Sequence, residues 1–380
     1  MTTLTPAVHR SSITRMLERI DQTAAGDDPG FPHYGDPGTG TWTRSPNGDW
    51  TGGFWNGLLW LAAAATGEER YRRLGLEWAR RLAPRVESET VFRGFLFWYG
   101  AALGSVLHGD DEARELAIHG ARGFASDYNP AARVIPLGEQ AEESSDVGRG
   151  EANIDGVPGG TPLLCWAARE TGDDRLAEIA AEHARRHIEL CVRADGSVVQ
   201  SATFDPATGA VERRYTHKGV HDDSTWTRAQ AWAMLGYAQA AAWVSADEFL
   251  EPVVRTCDWW VDHLPADRVA RWDFDAPEGP DAEHDTSGTA IAAASLLKAA
   301  ALAPERAACY RDCASEMLGA LATRHLTPVG PDDRRPPGIL ADGCYNHRIG
   351  LATANELIWG DYFLFEALLV ADGELDPLAL

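Results

Sequence analysis

Lysine is nearly absent from this chain of 380 residues, standing only at Lys218 and Lys298. Positive charge is scarce overall: 34 Lys and Arg face 57 Asp and Glu, for a net charge of −23. No nucleic acid is therefore expected as a partner, since that affinity comes from cations neutralising phosphates. An anionic membrane surface is disfavoured for the same reason. No apolar run approaches the roughly 18 residues of a membrane span. The opening stretch MTTLTPAVHRSSITRML lacks the apolar core of a secretion signal, so a soluble, cytoplasmic protein is expected. The six cysteines, at 165, 191, 257, 309, 313 and 344, form no CxxC, and Cys309 and Cys313 have no paired histidines nearby. No metal site and no organic cofactor is expected. The thiols sit mostly in apolar runs and read as buried and reduced. The acidic stretch from Asp281 to Asp285 lacks the spacing of a calcium loop and reads as solvated charge.

What the chain does contain is an internal repeat. Five times an apolar, Ala-rich helix ends in a short acidic turn and an amphipathic helix follows, as in LLWLAAAATGEERYRRLGLEWARRL and LLCWAARETGDDRLAEIAAEHARRH. The turns fall near residues 67, 109, 172, 246 and 304. Gly or a polar residue closes one helix, and Asp or Glu then meets the exposed N–H groups of the next. The first helix of each pair is apolar nearly all round and should be buried, and the second should lie outside. Helices near 7–24 and 359–371 complete six inner and six outer helices. The expected fold is all-α, an (α/α)6 barrel in a single domain over 1–380. Irregular turn spacing argues against an open solenoid.

Long loops rich in Gly, Pro, Asp and Trp separate the helices, at 25–52, 127–158, 193–223, 264–284 and 324–358, and should gather at one end as the site. Within them, SVVQSATFDPATGAVERRYTH alternates around a PATG turn and predicts a small β-hairpin. Trp50, Trp55 and Trp60 cluster at the start of an inner helix. Such rings fill cores and also stack on sugar rings, and both readings stand. Arg228 and Trp232, four apart, share a helix face. A buried Arg there requires an acidic partner, either a protein carboxylate or an anionic substrate. Asp222 and Asp223 read as helix caps. By spacing alone Asp155, just ahead of an apolar helix, is a cap candidate; desolvation there would raise a carboxyl pKa toward a working range.

DWTGGFWNGLLW, NIDGVPGGTPLL, THKGVHDDSTWTRAQAW, RWDFDAP, HDTSGTAIAAASLL and ELIWGDYFLFEALL follow in order from about 49 to 370. In that order they resemble the blocks of the unsaturated glucuronyl hydrolases and their unsaturated rhamnogalacturonyl hydrolase relatives. The resemblance implies the same barrel. It also implies hydration of the C4–C5 double bond of an unsaturated uronic acid, with one aspartic acid as acid and base. Ordinary retaining or inverting carboxylate pairs are not required. On this resemblance Asp155 is the catalytic residue, and Trp50, Trp226, Arg228 and Trp232 match site positions. Trp55 is added as a stacking candidate, and Tyr345 falls in a matching Gly-x-Tyr block. The chain departs from the family at Phe92, where a second aspartate is usual, with Glu87 or Glu89 as nearby substitutes. It departs again at Gln200 and Asn346, each in a histidine's place (His347 is adjacent to the latter), and at Lys218, in a glutamine's place. The expected partner is a small saccharide or glycosylated metabolite. Two further readings are a member retuned toward hydration or dehydration of a modified sugar, favoured by Phe92 and Gln200, and a non-catalytic sugar-binding barrel.

Overall fold

Alternation between helices apolar on all sides and helices apolar along one stripe sorts the chain into two layers. The computed structural model describes residues 4–26, 28–142, 148–277, 279 and 282–380. The outer helices are α1 (Pro6–Ala24), α3 (Glu69–Arg80), α5 (Asp111–Ser126), α7 (Asp174–Cys191), α9 (Ala246–His263) and α11 (Ala307–Ala320). The inner helices are α2 (Gly52–Thr66), α4, α6 (Gly160–Thr171), α8 (Thr227–Trp243), α10 (Thr286–Leu302) and α12 (Ile358–Ala371). Helix α4 is continuous through Arg93–Phe97, a π-type turn at Trp98–Ala102, and Leu103–His108. The two kinds differ as their sequences require. Outer α3 buries only Tyr71, Gly75 and Ala79, one stripe at a spacing of four. Inner α8 is buried at every position from Thr227 to Ala241. Each inner helix packs on the next and α12 packs on α2, so the ring closes as the predicted (α/α)6 barrel. At Gly67 and Gly172 the chain leaves an inner helix with φ of 70° and 72°, a backbone region that strains any side chain.

The predicted hairpin is present as β4 (Ser201–Phe204) and β5 (Val211–Tyr215). The strand content exceeds expectation, however. β3 (Glu151–Asn153) extends this pair to a three-stranded antiparallel sheet, and β1 (Phe31–Gly35), β2 (Trp42–Ser45) and β6 (Glu356–Leu357) form a second. Among the described residues no helix is long and apolar enough to cross a membrane. Five cysteines are buried, Cys309 is exposed and none is bonded to another. Both lysines are buried, and Lys298 pairs with Glu366 at 2.9 Å.

Candidate active site

The catalytic candidates stand just ahead of inner helices or in their first turns: Trp50 before α2, Phe92 before α4, Asp155 before α6, and Trp226, Arg228 and Trp232 at the start of α8. Because the inner helices share one direction, these positions meet at one end of the barrel. They line a narrow cleft together with Lys218 and Glu142.

Asp155 sits on a single 3-10 turn, Ile154–Gly156, which directly continues β3. Its amide donates to Asn153 Oδ1 at 3.0 Å. The Ile154 amide donates to the Gln200 carbonyl at 2.9 Å. Behind the turn lies His183 of α7, fully buried. Its Nδ1 accepts from the Ile135 amide at 3.0 Å and its Nε2 donates to the Gly156 carbonyl at 3.1 Å. One nitrogen accepts and the other donates, so the ring is neutral. Burial, then the neighbouring His187, holds its pKa well below the ordinary value. Asp155 is 6% exposed.

Aromatic rings form the walls. Trp50 lies 5.8 Å from Phe92 and 4.7 Å from Trp359, and Phe92 stacks on Phe95. Trp232 closes the far side, 4.9 Å from Phe95. Behind Trp50 and Tyr345 sits His33 of β1, whose pKa is lowered to about 4 chiefly by burial.

The charged groups are fixed by partners. Arg228 meets Asp285 at 2.6 Å and donates to the carbonyls of Cys344 and Tyr345, while its guanidinium covers Trp226 at 4.4 Å. Of the two partners left open by the sequence, a protein carboxylate is thus present. Asp285 is not solvated loop charge: it is fully buried, and it also caps α10 through Ser287 and Gly288. Asp281, at the other end of that acidic stretch, lies outside the described residues. The Lys218 ammonium lies 4.6 Å from the Tyr345 ring, 5.7 Å from Trp226 and 5.9 Å from Trp50. It is 3.8 Å from the Glu142 carboxylate. Glu142 also accepts from the Tyr345 hydroxyl, which in turn accepts from Trp50 Nε1 at 3.1 Å.

Several expected residues lie elsewhere. Trp55 is core: it points toward α1, beside Met16 and Ile20, with its ring 6.1 Å from Trp78. Gln200 stands behind the cleft, where its Oε1 accepts from the Thr216 hydroxyl and the His217 amide and so shapes the segment carrying Lys218. Asn346 pairs its backbone with Leu351 and does not line the cleft, although the hydroxyl of Tyr345 beside it bonds Trp50 and Glu142, which do. Glu89 is paired with Arg149, and Glu87 is exposed, so neither replaces the carboxylate missing at Phe92. The carboxylate that does reach the cleft, Glu142, sits in a loop with no periodicity to single it out. Asp222 pairs with Arg213 of β5 and does not cap α8. Among the described residues one group has metal-ligand character: Glu283, Cys344 and His347. His347 Nδ1 is 2.6 Å from the Glu283 carboxylate, a hydrogen-bond length, and the Cys344 thiol, pushed up by burial, donates to the same carboxylate.

A closed double ring of helices, with a buried carboxyl in an aromatic cleft, is the arrangement expected of an (α/α)6-barrel glycoside hydrolase. No family model matches the chain. Individual relatives do. The chain is 33% identical over 347 residues to an unsaturated glucuronyl hydrolase of Bacillus sp. (strain GL1), covering 89% of this chain and 90% of that protein. It is 29% identical over 331 residues to an unsaturated chondroitin disaccharide hydrolase of Streptococcus pneumoniae, covering 85% and 82%. The crystal structure of the unsaturated glucuronyl hydrolase of Bacillus sp. GL1 superposes with a TM-score of 0.86 at 31% identity, over 95% of this chain and 96% of that one. The chain belongs to the unsaturated glucuronyl hydrolase family.

Proposed function

We propose that this enzyme hydrates the C4–C5 double bond of an unsaturated uronyl residue at the end of a short saccharide, with Asp155 as both acid and base. The observation that carries the proposal is the position of Asp155. It is buried and lines a cleft whose walls are Trp50, Phe92, Trp226 and Trp232 and whose cations are Lys218 and Arg228.

The chemistry follows from that placement. Protonated Asp155 delivers its proton to C4 of the enol ether, and positive charge develops at C5 and the ring oxygen. The resulting carboxylate takes a proton from water as the water oxygen bonds to C5. The hemiketal so formed opens at C5, leaving a hemiacetal at C1 that expels the partner sugar. One carboxyl therefore serves twice, and no second carboxylate at a fixed separation is needed. Aromatic walls stack on the flattened ring. Lys218 supplies the cation for the uronate carboxylate. Arg228 acts by position, since its bonds to Asp285 and to the carbonyls of Cys344 and Tyr345 hold one wall in place.

The test is loss of ultraviolet absorbance from a conjugated unsaturated uronyl disaccharide, with wild type and Asp155→Asn in parallel. Wild type should bleach the signal, and the variant should be slower by about a thousandfold, the scale of general acid–base catalysis, with an unchanged circular dichroism spectrum. A second reading, hydration or dehydration of a modified sugar, is favoured by Phe92, which makes that wall apolar where the family carries an aspartate. It gains if wild type bleaches none of several unsaturated uronides.

A further inference from the structure

Among the described residues that line the cleft, Glu142 differs from the others in one respect. The remaining lining side chains are buried, from Arg228 at 1% exposed to Asp155 at 6%. The Glu142 side chain is 30% exposed. It therefore marks the mouth, and the buried Asp155 lies inside it. In a reaction that takes a terminal uronyl ring at Asp155, the leaving sugar must occupy the mouth, beside Glu142.

The Glu142 carboxylate is held there. It accepts from the Tyr345 hydroxyl, and Lys218 lies 3.8 Å away on the inner side. The Lys218 ammonium is enclosed by the rings of Tyr345, Trp226 and Trp50 and is itself only 3% exposed. A group arriving from solvent meets the negative member of this pair first. Hydroxyl and amide groups of a neutral sugar can donate to that carboxylate. A sulfate or carboxylate at the same place is repelled by it, and like charges set close together at a partly screened rim disfavour each other.

Resting on the function proposed above, we infer that Glu142 is a specificity-determining residue that selects an uncharged leaving sugar over a sulfated or otherwise anionic one. A rim charge of this kind is worth about tenfold in kcat/KM, the effect of one partly screened pair of charges.

The experiment compares kcat/KM on an unsaturated uronyl–N-acetylgalactosamine disaccharide with and without a 6-sulfate. Wild type should favour the unsulfated sugar by about tenfold. Glu142→Gln should bring the two rates within about twofold, while Glu142→Asp, which keeps the charge, should keep the preference. Raising the ionic strength should narrow the wild-type ratio without any substitution, which tests the charge even if a variant folds poorly. Equal wild-type rates on the two sugars, or a preference that survives both Glu142→Gln and high salt, would overturn the inference and leave the hydratase reading intact. Wild-type inactivity on both sugars would overturn the two together.

Discussion

His183→Ala should weaken both the fold and the chemistry, although His183 touches no part of the cleft. The imidazole satisfies two buried backbone groups on the segments that carry the site, the Ile135 amide and the Gly156 carbonyl. Alanine leaves both without a partner and opens a void. Each orphaned group costs about 1–3 kcal/mol, so a loss of about 3–5 kcal/mol is expected. At about 2.1 cal/mol/K of unfolding entropy per residue, 380 residues convert that loss into a fall in Tm of roughly 4–6 °C. Gly156 follows Asp155 directly on its turn, so the relaxation displaces the carboxyl. A misplacement of about 1 Å costs on the order of a hundredfold in rate, and kcat should fall further than KM rises. His183→Gln, which can still donate to Gly156, should lie between the two. Differential scanning fluorimetry and steady-state kinetics on the three proteins decide the matter. A His183→Ala variant with unchanged Tm and unchanged kcat would refute the buttress argument.

Acidification should destabilise the protein well before its surface carboxylates protonate. Burial lowers the pKa of His33 and of His187 to about 4 and that of His183 well below its ordinary value, so between about 6.5 and 4 the unfolded chain binds protons that the folded protein refuses. Stability is full above about pH 6.5 and is lost as pH falls toward 4, with a slope of up to about 4 kcal/mol per pH unit for three such groups. Urea midpoints that stay level from about pH 7 to 5 would contradict this. Arg228→Met should lower stability by about 3–5 kcal/mol, because it strands Asp285 as a buried, unpaired charge. Arg228→Met,Asp285→Asn should recover much of that loss in the same denaturation assay, and failure to do so would mean the pair is not the source.

The helical frame was readable because its signal is redundant. An inner helix of a double ring has no wet face, so stretches such as 227–241 carry almost no charge, while the outer helices alternate. The strands were mostly invisible because they are short: β6 has two residues and β3 three, too few for a period-two pattern to register. Within the site, Trp50, Asp155, Trp226, Arg228 and Trp232, carried by family-like blocks, came together in the cleft, since those blocks lead into inner helices that share an end. Trp55 did not, although it lies in the same block as Trp50. Trp50 precedes α2, whereas Trp55 lies inside the helix on the side facing α1, and a tryptophan's composition signal is identical in a core and in a cleft. Block membership is a weak guide to contact for the same reason. Asp361, from the IWGDY block, is buried beside Arg19, Trp55 and Ile358. Its carboxyl is held well above the usual range by burial and by Glu356, which marks it as part of the packing around α1.

Phe92 shows why a departure from a family pattern has to be read with its neighbours. Taken alone, aspartate replaced by phenylalanine looks like loss of a catalytic charge. Here the ring stacks on Phe95 and faces Trp50, so it completes an apolar wall. A carboxylate at the same point would be desolvated among rings, a costly arrangement without a partner. The cleft nevertheless keeps a second carboxylate: Glu142, brought in from a loop, bonded to Tyr345 and set beside Lys218, which itself stands in a glutamine's place. Negative charge thus stands at the mouth, with a positive charge behind it. On the function proposed above, a charge beside Asp155 acts on the ring being protonated. A charge at the mouth acts on the sugar that leaves. On the function proposed above, Phe92, Lys218 and Glu142 together set the charge along the cleft axis, and the first consequence falls on the choice of leaving sugar.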